Sequence, residues 1–541
     1  MKTITPRKRC APDGDLALSQ EVIGLLQRQS ADQQQAGEVQ LIETHISWVF
    51  LTNQFAYKLK KPVRFDFVDF STAELRRKAC ENEVTLNRRL APGVYLGIVP
   101  VVVTASGQLA IGRVGVPVDW LVKMRRLSAG NALDTLIRED RVGAVAIEQL
   151  ARTLSDFYHN APPVTMIVDD YRRNIEHHVI ANRDELLSAS HHLDEAAIHR
   201  VHSAQLRVLK LAPDILDERV RNGRIIEGHG DLRPEHIYFN PSPLVIDCIE
   251  FSQEFRTLDV VDELAFLAME CDFLGADDIT DPIFEHYFEQ SGDSPPPQVI
   301  SFYQIYRACV RAKVCALRAE QLVGEARERL LESASTYLNL AHRYSLRLGP
   351  PVLILIHGLP GTGKSTIART ISEQLGFALL QTDAIRRSVI GASDDKLNFN
   401  EGAYRPENRR RVYEAMHEQA EGLLSNGTSV VLDGNYLEAD LRVTAANLAN
   451  RHHAEFVAAH CECLDEIALE RIITRSRNGG ALSETRPEFF DRQRQSEEPD
   501  PPGLSSLVID TSTGSSESLQ SVFETLRSRC FADVFAMAPS R

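Results

Sequence analysis

Two short stretches of this 541-residue chain carry residue types that handle phosphate. In the second half, Gly358-Leu-Pro-Gly361-Thr362-Gly363-Lys364-Ser365 fits G-x-x-x-x-G-K-[ST] at every fixed position. Glycines let backbone N–H groups converge on a phosphate without Cβ clashes, and the N-terminus of the following helix adds positive potential. Lys364 should reach the β- and γ-phosphates and the Ser365 hydroxyl should meet Mg²⁺, so ATP and Mg²⁺ are the expected cofactors. Gly358, Gly361, Thr362, Gly363, Lys364, Ser365 and Thr366 form the expected nucleotide-binding set. In the first half, His229-Gly-Asp231-Leu-Arg-Pro-Glu-His236 is followed by Asp247 in Leu-Val-Ile-Asp-Cys-Ile-Glu-Phe. Two acids on neighbouring apolar segments suit phosphoryl transfer, one orienting a hydroxyl and the other binding the metal of a nucleotide.

Other residues extend each constellation. Asp433 closes an apolar run, Val-Val-Leu-Asp, and a carboxylate at a strand end beside a phosphate loop can hold the Mg²⁺ shell or orient a nucleophile. Asp383 is read as ending a strand, with Arg386 one helical turn on. That spacing suits a substrate hydroxyl and an anionic group, and equally an N-cap acid with a surface arginine. Glu470–Arg477 puts Arg471, Arg475 and Arg477 on one or two helical faces before an Asn478-Gly-Gly480 break, as a closing lid would require; a solvated basic face is the other reading. Upstream, Lys58 lies in a strand pattern and Glu83 in a helical one, and a Lys–Glu pair fixes a phosphate-binding lysine. Lys60 shares the strand face of Lys58, so it competes for that role.

The elements that must position these groups are legible in outline. Strand patterns run over Glu43–Leu51, Phe55–Lys60, Gly97–Val103, Gln108–Arg113 and Trp120–Arg125, with a helix over about Thr72–Leu90 among them. Helical patterns precede them up to about Ala36 and dominate from about Asn131, ending in one long helix over Tyr303–Arg347. Leu348-Gly-Pro-Pro351 stops that helix. Beyond it, Val352–Ile356, a helix over Thr366–Leu375 and a final strand at Leu507–Asp510 frame an alternating pattern of βαβ units and a parallel sheet.

The second half resembles small-molecule kinases of the P-loop class, such as gluconate kinases and zeta-toxin-like kinases. That resemblance implies substrate-side roles for Asp383 and Arg386 and a lid-side role for Arg475. The His229–Asp247 block resembles the catalytic loop of aminoglycoside phosphotransferases and choline-kinase-like enzymes. It implies a catalytic Asp231, a metal-binding Asp247, and His236 at a metal position usually held by Asn. Both halves in this order resemble a bacterial fusion described as a bifunctional aminoglycoside phosphotransferase-like/ATP-binding protein. The implied architecture is an α+β protein-kinase-like domain over 1–347, its two lobes split near 125–130, followed by an α/β P-loop domain over 350–541.

Composition sets the outer bounds. The chain is 43% hydrophobic and 25% charged, which excludes a disordered or fibrous class. A net charge of −15 argues against nucleic acid or membrane surfaces as partners. Nine scattered cysteines, no apolar leader and no 20-residue apolar run point to a reduced, cytoplasmic address. The cluster Arg405 and Arg409–Arg411 is read first as a solvated helix face and second as an anion site. The expected function is transfer of the ATP γ-phosphate to a small hydroxyl-bearing molecule; the alternative is a kinase-like first half that senses a ligand and regulates the P-loop half.

Overall fold

The structure, a computed structural model, describes residues 9–10, 20–25, 39–65, 68–189, 193–390, 405–477, 487–512 and 515–532. Of the opening helical pattern, 20–25 are helical, Arg9–Cys10 are instead a short strand paired antiparallel with Val63 and Arg64, and the rest lies outside the described residues, as does the Asn478-Gly-Gly480 break. Packing divides the chain into two units, Met1–Met166 with Arg219–Pro295, and Ile167–Glu218 with Pro296–Arg541.

In the first unit, six strands form an antiparallel sheet: β1 (Gln40–Glu43), β2 (Ser47–Leu51), β3 (Phe55–Lys60), β4 (Tyr95–Val103), β5 (Leu109–Ile111) and β6 (Val116–Arg125), in the order β1-β2-β3-β6-β4-β5. The single strand expected over Glu43–Leu51 is two strands. The Thr44 hydroxyl accepts from the Ser47 N–H at 3.0 Å and turns the chain between them. Helix α1 (Ala73–Asn87) is N-capped by Thr72, whose hydroxyl accepts from Leu75. It lays Cys80 and Val84 on the sheet face formed by Ala56, Val122 and Met124. Lys58 and Lys60, two residues apart on β3, therefore both point at α1, where Glu83 is buried.

The second unit holds a five-stranded, all-parallel sheet: β7 (Val352–His357), β8 (Ala378–Gln381), β9 (Val430–Asp433), β10 (Glu455–Glu462) and β11 (Leu507–Asp510), in the order β8-β9-β7-β10-β11. Every residue of β7 is buried, as a strand covered on both faces requires. The helices that follow the strands are α2 (Lys364–Leu375), α3 (Thr382–Ile390), α4 (Pro406–Ser425), α5 (Ala439–Arg451), α6 (Asp465–Arg477) and α7 (Ser515–Cys530). The helix expected over Tyr303–Arg347 is two helices, Pro297–Ala319 and Glu325–Ser345, packed on each other. The break falls at Gly324, whose φ of +66° with ψ of −151° is a combination that glycine alone adopts at low cost. Helix Glu195–Leu211 packs against α2 and α7, so this unit includes residues well upstream of the proline stop. No helix among the described residues is long and apolar enough to cross a membrane.

Candidate active site

The chain leaves β7 at His357, turns through Gly358–Gly363 and enters α2 at Lys364. Gly358 and Gly361 have φ of +130° and +81°, and a Cβ on either would stand 2.4 Å from a backbone oxygen, of Cys461 or Ala468. These glycines are thus fixed both by dihedral and by contact. The turn is braced from outside. The Thr511 hydroxyl donates to the Thr362 carbonyl at 2.7 Å, and Arg471 donates to the Thr511 carbonyl at 2.8 Å. Arg471, read from sequence as part of a lid, is a brace of the phosphate loop. Lys364 is buried and donates to the Leu359 carbonyl at 2.7 Å. Burial pulls its ammonium below the usual lysine value, and the Asp433 charge is the largest opposing influence. A buried cation held in this way gains most from an arriving phosphate.

A cleft of about 360 Å³ opens over this loop. It is lined by Gly361, Gly363, Lys364, Ser365 and Thr366 together with Asp433, Asp383, Arg386 and Arg475, so the structure brings most of the expected second-half site together. Gly358 and Thr362 belong to the loop without lining the cleft. Asp433 ends β9, beside β7, and accepts from the Gln381 amide at 2.8 Å. Asp383 does not end a strand: β8 stops at Gln381, and Asp383 stands in the first turn of α3, 2.6 Å from Arg386. Arg409 lines the cleft as well, against the first reading of its cluster as a solvated face; Arg369 and Glu438 complete the charged lining. The cleft holds five cationic side chains, Lys364, Arg369, Arg386, Arg409 and Arg475, against three acids, Asp383, Asp433 and Glu438.

No pattern in the sequence marks Tyr413 or Arg442. Tyr413 follows Arg409 by one helical turn on α4 and faces the cleft; its oxygen accepts from the Tyr436 N–H at 3.1 Å. Tyr436 carries a φ of +45°, a strained turn just after Asp433. Arg442, 1% exposed, donates to the carbonyls of Tyr436, Glu498 and Pro499, each at 2.7 Å, and pairs with Asp500 at 3.1 Å. It fixes the loop after β9 from behind.

The first unit assembles its own constellation. Lys58 Nζ lies 2.6 Å from Asp247 and 2.9 Å from Glu83. Lys60 Nζ pairs with Glu83 and with Glu250, so Glu83 serves both lysines, and they differ in their second partners, Asp247 for Lys58 and Glu250 for Lys60. Burial alone would raise the Asp247 carboxyl; Lys58, then His236, overcome it and hold the group well below the carboxylate range. Asp247 has a φ of +65°, and its N–H donates to the Tyr95 hydroxyl at 3.1 Å. Glu263, in the helix Val260–Phe273, accepts from the N–H groups of His229 and Gly230 at 2.7 and 2.6 Å. His229 also bonds the Ile246 carbonyl at 2.9 Å, and burial, aided by His236, lowers its imidazole to about 4. Arg233 Nε stands 3.0 Å from Asp231. His236 Nδ1 donates to the Asp231 carbonyl at 2.9 Å, and its Nε2 accepts from Arg233 at 3.2 Å, 3.7 Å from Asp247.

These donor sets differ in their fit to Mg²⁺. Ser365 and Asp433 are hard oxygen donors beside the phosphate loop and fit it. In the first unit Asp247 fits, but the second donor is the His236 imidazole nitrogen, already turned toward a guanidinium, and that does not suit a hard cation. Among the described residues no group of three or more His, Cys, Asp or Glu side chains is arranged to hold a metal without help from a nucleotide.

The parallel sheet, the glycine turn and the cleft above it define the C-terminal region as a P-loop kinase fold. Residues 353–499 match the family model described as an AAA domain. The chain belongs to the family of the uncharacterized protein Rv2004c of Mycobacterium tuberculosis (strain ATCC 25618 / H37Rv), with 33% identity over 464 residues, 83% of this chain and 89% of that protein. A stretch of 85 residues is 38% identical to a shikimate kinase of Thermobifida fusca (strain YX), covering 15% of this chain and 48% of that protein. Among solved structures, a gluconokinase from Sinorhizobium meliloti 1021 aligns at 18% identity over 35% of this chain and 98% of its own, with a TM-score of 0.26. A choline kinase from Cryptosporidium parvum Iowa II aligns at 9% identity over 61% of this chain and 94% of its own, with a TM-score of 0.36.

Proposed function

We propose that this chain is an ATP-dependent phosphotransferase whose P-loop site moves the γ-phosphoryl group to the hydroxyl of a small molecule. The observation that carries this is the convergence of Lys364, Ser365, Asp433 and Asp383 on one cleft. In the transfer, the acceptor oxygen bonds to the γ-phosphorus, the bond from that phosphorus to the β–γ bridging oxygen breaks, and ADP leaves. Asp383 takes the hydroxyl proton. Lys364 and the loop amides hold the phosphates in line, and Arg475 adds positive charge where negative charge develops. Mg²⁺, held by Ser365 and Asp433, would supply further charge to the β- and γ-oxygens.

In this reading the chain carries two kinase-like domains, 1–347 and 350–541, in the cytoplasm. Asp231, Asp247, Lys58 and Glu83 form the second phosphate-handling site. A specific observation favours a non-transferring, ligand-sensing role for that site: Arg233 and Lys58 already engage the two acids that transfer needs. Labelled ATP with a pool of small hydroxy compounds separates these readings. Lys364→Ala should abolish most transfer and Asp231→Ala little of it. Transfer that survives Lys364→Ala and disappears with Asp231→Ala would reverse the assignment.

A further inference from the structure

Strands β8 and β9 run parallel, and the last residues paired between them are Gln381 and Asp433. On neighbouring strands in register, side chains at paired positions leave the same face of the sheet. Both of these line the cleft. Gln381 Nε2 donates to Asp433 Oδ2 at 2.8 Å, and among the described residues this is the one hydrogen bond of the Asp433 side chain, which has no ion pair there. Asp433 is 4% exposed, and a carboxylate so buried gains from an arriving cation. Lys364 feels its charge but donates to the Leu359 carbonyl instead.

An amide has one donating and one accepting end, so the end that meets a carboxylate is the N–H end. Gln381 thereby occupies Oδ2 and leaves Oδ1 as the Asp433 oxygen open to a cation. The frame around the pair is tight. Gly434, next after Asp433, donates to the Ile356 carbonyl at 3.3 Å, and a Cβ on it would stand 2.8 Å from Cγ2 of Thr382, next after Gln381.

The amide also sets charge. Ser365 is neutral, and the other acids of the cleft, Asp383 and Glu438, stand 2.6 Å from Arg386 and 3.9 Å from Arg409. Asp433 is thus the one carboxylate offered beside the phosphate loop, too few hard anionic donors to hold a divalent cation unaided. The phosphates of a nucleotide must supply the rest. A glutamate in place of Gln381 would set a second carboxylate against Asp433, a pair that a divalent cation would bridge.

We propose that Gln381 is a positioning residue for the cation that accompanies the nucleotide. Its amide fixes which Asp433 oxygen is presented, and its neutrality makes the cation enter together with the phosphates. This rests on the P-loop reading, which assigns Ser365 and Asp433 to Mg²⁺ and gives Gln381 no role.

Calorimetry on the full chain with a non-hydrolysable ATP analogue, at saturating Mg²⁺ and in EDTA, gives the factor by which Mg²⁺ raises affinity. The P-loop contribution is the part that Lys364→Ala removes. In Gln381→Leu the factor should fall about 10- to 100-fold, as when the outer partner of a metal ligand is lost, with metal-free affinity unchanged. Gln381→Glu should take up about one more Mn²⁺ per chain than the wild type without nucleotide, read as loss of the electron paramagnetic resonance signal of the free ion. If Gln381→Leu does not fold, Gln381→Glu carries the test alone. A Mg²⁺ factor intact in Gln381→Leu, metal-free and Mg²⁺-bound affinities that fall together, or no added Mn²⁺ in Gln381→Glu would each overturn the proposal. Nucleotide binding that Lys364→Ala leaves unchanged would overturn the P-loop reading instead.

Discussion

Lys58 Nζ stands 2.6 Å from Asp247 and 2.9 Å from Glu83, so one ammonium ties strand β3 to helix α1 and to the loop after Ile246. The Asp247 carboxyl is held below its unfolded value, so its stabilising contribution is full above pH ~4 and is lost as the pH falls below that. Lys58→Met removes the chief opponent of burial, so the Asp247 carboxyl rises and the acid transition of this unit moves to higher pH. Its cost at neutral pH should fall well below the ~3–5 kcal/mol of a fully broken buried pair, because the Asp247 side chain is 44% exposed and screened by water, and because Lys60 still faces Glu83. Both tryptophans of the chain, Trp48 and Trp120, lie in this unit, so intrinsic fluorescence against pH reads it selectively.

Gly361→Ala places a Cβ 2.4 Å from the Ala468 oxygen at a φ of +81°. Backbone strain of about 1–3 kcal/mol should lower Mg²⁺–ATP affinity about 10- to 100-fold by calorimetry. Gly422→Ala is the control. It lies within helix α4 with nothing within 4 Å of the added carbon, and should stabilise by about 0.5–1 kcal/mol with unchanged affinity.

Arg442→Met leaves the carbonyls of Tyr436, Glu498 and Pro499 without their donor and Asp500 without its partner. A loss of about 3–5 kcal/mol is expected from breaking such a buried charged network. Urea denaturation followed by circular dichroism measures it, and an unchanged midpoint would contradict the role given to this side chain.

His236→Asn replaces a nitrogen donor by an oxygen beside Asp247. In a Lys364→Ala background, which silences the P-loop site, nucleotide binding by the first unit should become about tenfold more dependent on Mg²⁺, as hard-ion preference for oxygen predicts. Titrations with Mg²⁺ and with Mn²⁺ read the change; a wild-type site that already prefers Mg²⁺ would show that the imidazole is no handicap.

What the sequence alone determined is local and periodic. The phosphate loop is a contiguous motif whose glycines and lysine act through backbone geometry, so Gly358–Thr366 could be assigned with the strand before and the helix after. The Lys58–Glu83 pair came from the kinase resemblance; periodicity placed the two residues on a strand and a helix and left Lys60 competing with Lys58. Other features depend on contacts between segments distant in the chain. Asp383 moved from a strand end into a helix turn because β8 stops at Gln381. Arg471 became a brace because Thr511, forty residues later, offers its carbonyl. Arg409 and Tyr413 reached the cleft because α4 packs beside α3, and nothing in the local pattern of an arginine-rich helix says which of its faces meets a neighbour. Periodicity tells a helix which side to bury; only the packed sheet order decides what that side meets.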